Sequence, residues 1–151
     1  MSLSRKLAHT LVIPVAGALA LVAPGTAHAA RDLYGAMAVS YTPGSYAVGI
    51  AVDYTTQDEA DQAAKDACAG YLGCTVLLQI HNECGAVLER DYRLPWGAIK
   101  PTYYMGTGPT AAAAEEDARA HAGPDGDLLA PYMYMVKPLF LLDTACTSNA
   151  G

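Results

Sequence analysis

An imperfect internal repeat governs what this chain can fold into. The stretch YGAMAVSY at 34–41 recurs as CGAVLERD at 84–91, an offset of 50 residues. TTQDEADQAAKDAC at 55–68 lies against PTAAAAEEDARAHA at 109–122, with Thr56, Ala60 and Ala64 falling on Thr110, Ala114 and Ala118 at an offset of 54. LLQIHNEC at 77–84 lies against LFLLDTAC at 139–146, an offset of 62. The chain reads as a degenerate tandem repeat of one unit.

Each copy reads strand, strand, helix, strand. In the first, Tyr46, Val48, Ile50, Val52 and Tyr54 alternate with smaller or polar residues, the period of a strand with one buried face. Thr56, followed three residues later by Glu59, predicts a capped helix start. Along that helix Ala60, Ala63, Ala64, Ala67 and Cys68 share one face. Alanine there lets a helix sit close on a sheet. The second helix repeats the arrangement, with Thr110 as cap, Ala111, Ala114, Ala118 and Ala122 on one side, and Gly123-Pro124 as its stop. The expected fold class is α+β: a degenerate tandem repeat forming an antiparallel sheet with two helices on one face.

At the N-terminus, Arg5 and Lys6 precede an uncharged apolar run from Leu11 to Ala23, and Ala27-His28-Ala29 follows. This is the pattern of a secretory signal peptide over residues 1–29, leaving 30–151 as a single exported domain. The run is shorter than the roughly 20 residues of a membrane span, so no span is expected in the mature chain. Loss of Arg5 and Lys6 leaves seven basic against fifteen acidic residues, a net charge of −8. That charge disfavours nucleic acid and anionic lipid as partners.

All four cysteines, Cys68, Cys74, Cys84 and Cys146, lie in the exported part, where oxidising conditions favour disulfides. Cys84 and Cys146 occupy equivalent positions in the two copies, and strand parity aims both inward. Of the three connectivities open to four cysteines, Cys84 with Cys146 and Cys68 with Cys74 is the favoured one. Ala122 and Val136 stand where the second copy would carry Cys68 and Cys74, a joint loss expected of a bonded pair.

The opening YGAMAVS, the threonine-capped alanine-rich helix ending in cysteine, and NECGAV at 82–87 together resemble a secreted bacterial family, domain of unknown function 4189. The resemblance covers nearly all of the mature chain. It implies export and the repeat fold, and it carries no activity. The second helix, ending in Ala122, and Val136 depart from the fuller two-copy pattern.

HNEC at 81–84 gathers imidazole, carboxylate and thiol. Parity along the strand from Cys74 puts Cys84 with Val76, Leu78 and Ile80 on the buried face, and His81 with Glu83 on the polar one. A thiol–imidazole pair needs a free sulfur within reach of the ring, so the stretch reads as a disulfide anchor with exposed neighbours. A hydrolase using His81 and Glu83 with Asp143 or Cys84 is the alternative. A zinc site on His81 and Glu83 would need a third ligand, for which Asp143 is the candidate. His121 reads as a helix-end histidine. No GxSxG, phosphate-binding glycine loop or HExxH is present, and no cofactor or metal is expected.

The offsets widen between Asp91 and Thr110 and again between Ala122 and Leu139. These insertions hold Tyr92 and the single tryptophan, Trp96, and then Tyr132 and Tyr134. Such rings suit a satellite core under long loops. They also suit a contact surface, made by Tyr92, Trp96, Tyr132 and Tyr134 with Arg90 and Arg93 as polar anchors, although the core reading is the favoured one. The leading functional expectation is a small exported binding or interaction module, of inhibitor or immunity type in one form, with an unknown protein or envelope ligand. A structural envelope protein is a further alternative.

Overall fold

Strand alternation, threonine caps and glycine stops each give rise to an element of the computed structural model, which describes residues 31–42, 45–68, 73–125 and 132–151. The expected signal segment lies outside the described residues, as does the 126–131 part of the second insertion. In chain order the elements are β1 (Tyr34–Thr42), β2 (Ser45–Tyr54), α1 (Gln57–Ala67), β3 (Thr75–His81), β4 (Cys84–Arg93), β5 (Ile99–Gly108), α2 (Ala111–Ala122) and β6 (Tyr134–Cys146). The α+β class and the strand-strand-helix-strand repeat are both present.

Each copy closes into its own three-stranded antiparallel sheet, ordered β2-β1-β3 in the first and β5-β4-β6 in the second. The outer strands of each sheet run parallel to each other. The chain must therefore cross over the central strand between them, and the helix makes that crossing. Ala60 and Ala64 of α1 meet Ala36, Ala38 and Ala51. Ala114 and Ala118 of α2 meet Ala86 and Leu88. The approach is so close that a Cβ on Gly49 would run into the Ala64 carbonyl and the Cys68 backbone, and one on Gly106 into the backbone of Ala114 and Ala118. Both caps form as expected: Thr56 Oγ1 accepts from Glu59 N, and Thr110 Oγ1 from Ala113 N. The acids Glu115–Asp117 sit beyond the first turn of α2, which has none. Glu115 instead accepts from Arg119.

The single sheet with both helices on one face resolves into two sheets, each with its helix outside. Met37 and Ile80 of the first sheet pack on Val87 of the second, with Ile50, Leu78, Met105 and Leu142 around them. The layers run helix, sheet, sheet, helix. The reason lies in the central strands, which are buried on both faces: residues 35–40 and 84–90 are all buried. A strand covered on both sides belongs to an inner layer. Each fully buried Met37, Ile80 or Val87 side chain contributes about 2 kcal/mol.

Strand parity fails in β3. Leu78 pairs with Met37 but Val76 pairs with Ala38, so Leu77 is an extra residue in a bulge. Val76 and Cys74 therefore join the α1 side, while Leu78 and Ile80 face the second sheet.

The disulfides join Cys68 to Cys74 and Cys84 to Cys146. The first ties the end of α1 to the approach to β3. In the second copy, fully buried Arg90 holds the equivalent helix end. It donates to the carbonyls of Ala122 (3.2 Å) and Gly123 (3.1 Å) and to Asp125 Oδ1 (2.8 Å). A charged fork thus stands where the first copy has a covalent bond.

Candidate functional site

The turn from β3 to β4 carries HNEC. Asn82 adopts φ 57°, a left-handed conformation that asparagine tolerates better than most residues. Its side chain binds four ways: Oδ1 accepts from Leu33 N (2.8 Å) and Asn149 Nδ2 (2.6 Å), while Nδ2 donates to Asp32 Oδ1 (2.8 Å) and lies 3.2 Å from His81 Nε2. His81 stacks on Tyr34 with centroids 4.6 Å apart, and its Nε2 lies 3.3 Å from Asp32 Oδ1. Hydrogen bonds from Asn82 and then His81 hold the Asp32 carboxyl below its ordinary range. The Glu83 carbonyl accepts both the backbone N and the hydroxyl of Thr147. This cluster clasps the chain entering β1 and the segment leaving β6 onto one turn.

Of the reactive groups in HNEC, the thiol is not free. Cys84 Sγ is bonded to Cys146. The acid beside His81 is Asp32, and Asp143 instead accepts from Thr144 N. Among the described residues, no three histidine, cysteine or acidic side chains are grouped to hold a metal ion. His121 Nδ1 is 2.9 Å from the Met105 carbonyl, tying α2 to β5.

The aromatic set divides. Tyr92 is buried, because it shares the α2-facing side of β4 with Leu88 and Arg90; Arg90 Nη1 donates to its hydroxyl at 3.4 Å. Neither Tyr92 nor Arg90 can form an outer surface. Trp96, Tyr132 and Tyr134 are 75%, 73% and 52% exposed. Arg93 pairs with Tyr134 across the β4–β6 ladder, and Trp96 lies in the β4–β5 turn just beyond Arg93. Trp96, Tyr134 and Arg93 therefore occupy one end of the second sheet, and Tyr132 precedes Tyr134 by two residues.

The inner face of β4 holds a group the sequence reading passed over. Glu89 and Asp91 follow Val87 at strand period, so both point between the sheets. Glu89 is only 3% exposed. Tyr103 is its register partner on β5, and Phe140 its partner on β6. Among the described residues, Glu89 Oε2, Asp91 Oδ1 and the Tyr103 hydroxyl are buried without a hydrogen-bond partner. Burial, and then the hydrogen bond and negative charge of Asp91, push the Glu89 carboxyl up to about 7, against a smaller opposing pull from Lys137. Burial and the neighbouring charges of Glu89 and Asp91 raise the Tyr103 hydroxyl as well. The signal was available as acids at alternate positions of a strand that continues the apolar run Ala86-Val87-Leu88.

One open depression of about 430 Å³ lies along α1, lined by Asp53, Tyr54, Thr55, Glu59, Gln62, Ala63 and Asp66. Its acids are already engaged: Asp53 accepts from Ser148 N, Glu59 from Thr55 and Thr56, and Asp66 from Gln62.

Fold and site together define a small, two-disulfide α+β repeat protein with a buried acidic pair between its sheets and an aromatic end. The family model described as Domain of unknown function (DUF4189) matches residues 34–127, and the chain belongs to that family. The match runs from β1 past α2 and stops short of β6. No curated protein and no solved structure matches the chain.

Proposed function

We propose that the protein is an exported binding module that meets its ligand with the aromatic end of the second sheet. The observation that carries this reading is the exposure of Trp96, at 75%, beside Tyr134 and Arg93 at the end of β4 and β6. Large rings left in water supply contact area at little entropic cost and are over-represented where partners bind. An inhibitor or immunity-type role is one form of this function. Export is supported by the basic, apolar and Ala27-His28-Ala29 pattern at the N-terminus and by the two disulfides, which persist in oxidising compartments. Among the described residues no helix is long and apolar enough to cross a membrane.

Trp96 is the single tryptophan, so its fluorescence reports on this surface without labelling. Soluble peptidoglycan fragments and a panel of purified envelope proteins would be titrated against the disulfide-intact chain. The expected result is a blue-shifted emission with one of them, abolished in Tyr134→Ala. A ligand that binds by calorimetry without moving the Trp96 emission would overturn the assignment of this surface.

A further inference from the structure

We propose that Glu89, Asp91 and Tyr103 form a site for a primary ammonium group, set between the two sheets near the aromatic end. The proposal rests on the inner face of β4 and is independent of whether Trp96 meets a ligand.

Three buried oxygens, Glu89 Oε2, Asp91 Oδ1 and the Tyr103 hydroxyl, have no hydrogen-bond partner among the described residues. A buried acceptor left unmatched is costly. An alkylammonium carries three N–H donors and no acceptor, which matches three acceptors in number. Its positive charge also compensates the two carboxyls, which a water molecule with two donors would not do. The walls are suited to a cation as well: Tyr103 and Phe140 flank Glu89 on its two neighbouring strands, and aromatic faces attract ammonium groups.

The chain already brings an ammonium to the rim. Lys137, the register partner of Asp91, places Nζ 3.3 Å from the centroid of the Phe140 ring. Lys137 is itself exposed. Its charge lowers the Glu89 pKa, which makes it an internal competitor for an incoming amine. A divalent metal fits less well, because calcium and magnesium take six or more oxygens and no third acid joins this pair among the described residues. The titratable groups facing Glu89 are Asp91 on its own strand, Tyr103 on β5 and Lys137 on β6, with Tyr41 of β1 beside Tyr103. Occupation requires an ionised Glu89, so affinity should rise as pH passes through about 7.

The test is a titration of the disulfide-intact chain with n-butylammonium, followed by the NMR shifts of the Glu89 and Asp91 carboxyls and the Tyr103 ring. Tetramethylammonium, of equal charge but without N–H, and calcium serve as comparisons. The expected result is saturable shifts with n-butylammonium alone. Glu89→Gln should weaken binding by roughly tenfold or more, and Lys137→Met should tighten it. Trp96→Ala should leave it unchanged. Equal shifts with tetramethylammonium or calcium would overturn the proposal. So would an absence of shifts in Lys137→Met, a surface change that keeps the test decisive even if Glu89→Gln fails to fold.

Discussion

Cys84 and Cys146 are direct partners across β4 and β6, with Cα atoms 3.9 Å apart at a sequence separation of 62. The bond fastens the end of the last strand to the centre of the second sheet. Closing a loop of that length is worth about 4 kcal/mol in the chain-entropy model, against about 2 kcal/mol for the six-residue separation of Cys68 and Cys74. Cys84→Ala/Cys146→Ala should therefore lower the urea midpoint by about twice as much as Cys68→Ala/Cys74→Ala. Equal midpoints for the two double variants would contradict this ranking.

Arg90 secures the end of α2 from beneath. Arg90→Met would leave the Ala122 and Gly123 carbonyls and Asp125 without their donor, at a cost of about 3 kcal/mol. Lysine cannot supply the same fork, so Arg90→Lys should rescue little. Asp125→Asn, at the half-exposed end of the network, should cost under about 1 kcal/mol. Urea unfolding of the three variants checks the order.

Glu89 makes stability depend on pH in an unusual direction for an acid. Its carboxyl binds a proton more tightly in the folded chain, where its pKa is about 7, than in the unfolded chain near 4.5. The folded state is thus favoured below pH 4.5 and loses this contribution as pH rises toward 7, by up to about 3 kcal/mol. Denaturation at pH 5 and pH 8 should show that loss in the native sequence and little of it in Glu89→Gln.

Gly49 and Gly106 permit the close seating of the helices, and a methyl group at either would meet backbone rather than movable side-chain ends. Gly106→Ala should destabilise by about 3 kcal/mol. Gly97 has φ 89° but no atom within 4 Å of an added Cβ, so Gly97→Ala should cost only about 1 kcal/mol of backbone strain. Thermal melts of the two variants separate crowding from conformation.

The repeat, the caps at Thr56 and Thr110 and the alanine faces were legible because each depends on local spacing. The layer order was not, although its signal stood in β1 and β4. Ala36 and Met37, like Ala86 and Val87, are apolar on opposite faces, which requires cover from both sides. The bulge at Leu77 broke the parity used to orient β3, and bulges leave no mark on an apolar run. Tyr92 and Arg90 read as surface residues because aromatics and charges near an insertion usually are. Only the position of α2 shows that they lie beneath it. Glu89 and Asp91 escaped notice for the same reason, since acids on a strand are ordinarily assigned to solvent.

Each sheet draws all its strands from one continuous half of the chain, with only the Asn82–Glu83 turn between them. Synthesis proceeds from the N-terminus, so the first half can complete β1, β2, α1 and β3 while the second is still being translated. Until β4 arrives, Met37, Ile50, Leu78 and Ile80 present a bare apolar face, the one later covered by Val87 and its neighbours. The nascent chain therefore passes through a stage at which its better-formed half is also its most adhesive, and at that stage it would be a natural client for a chaperone.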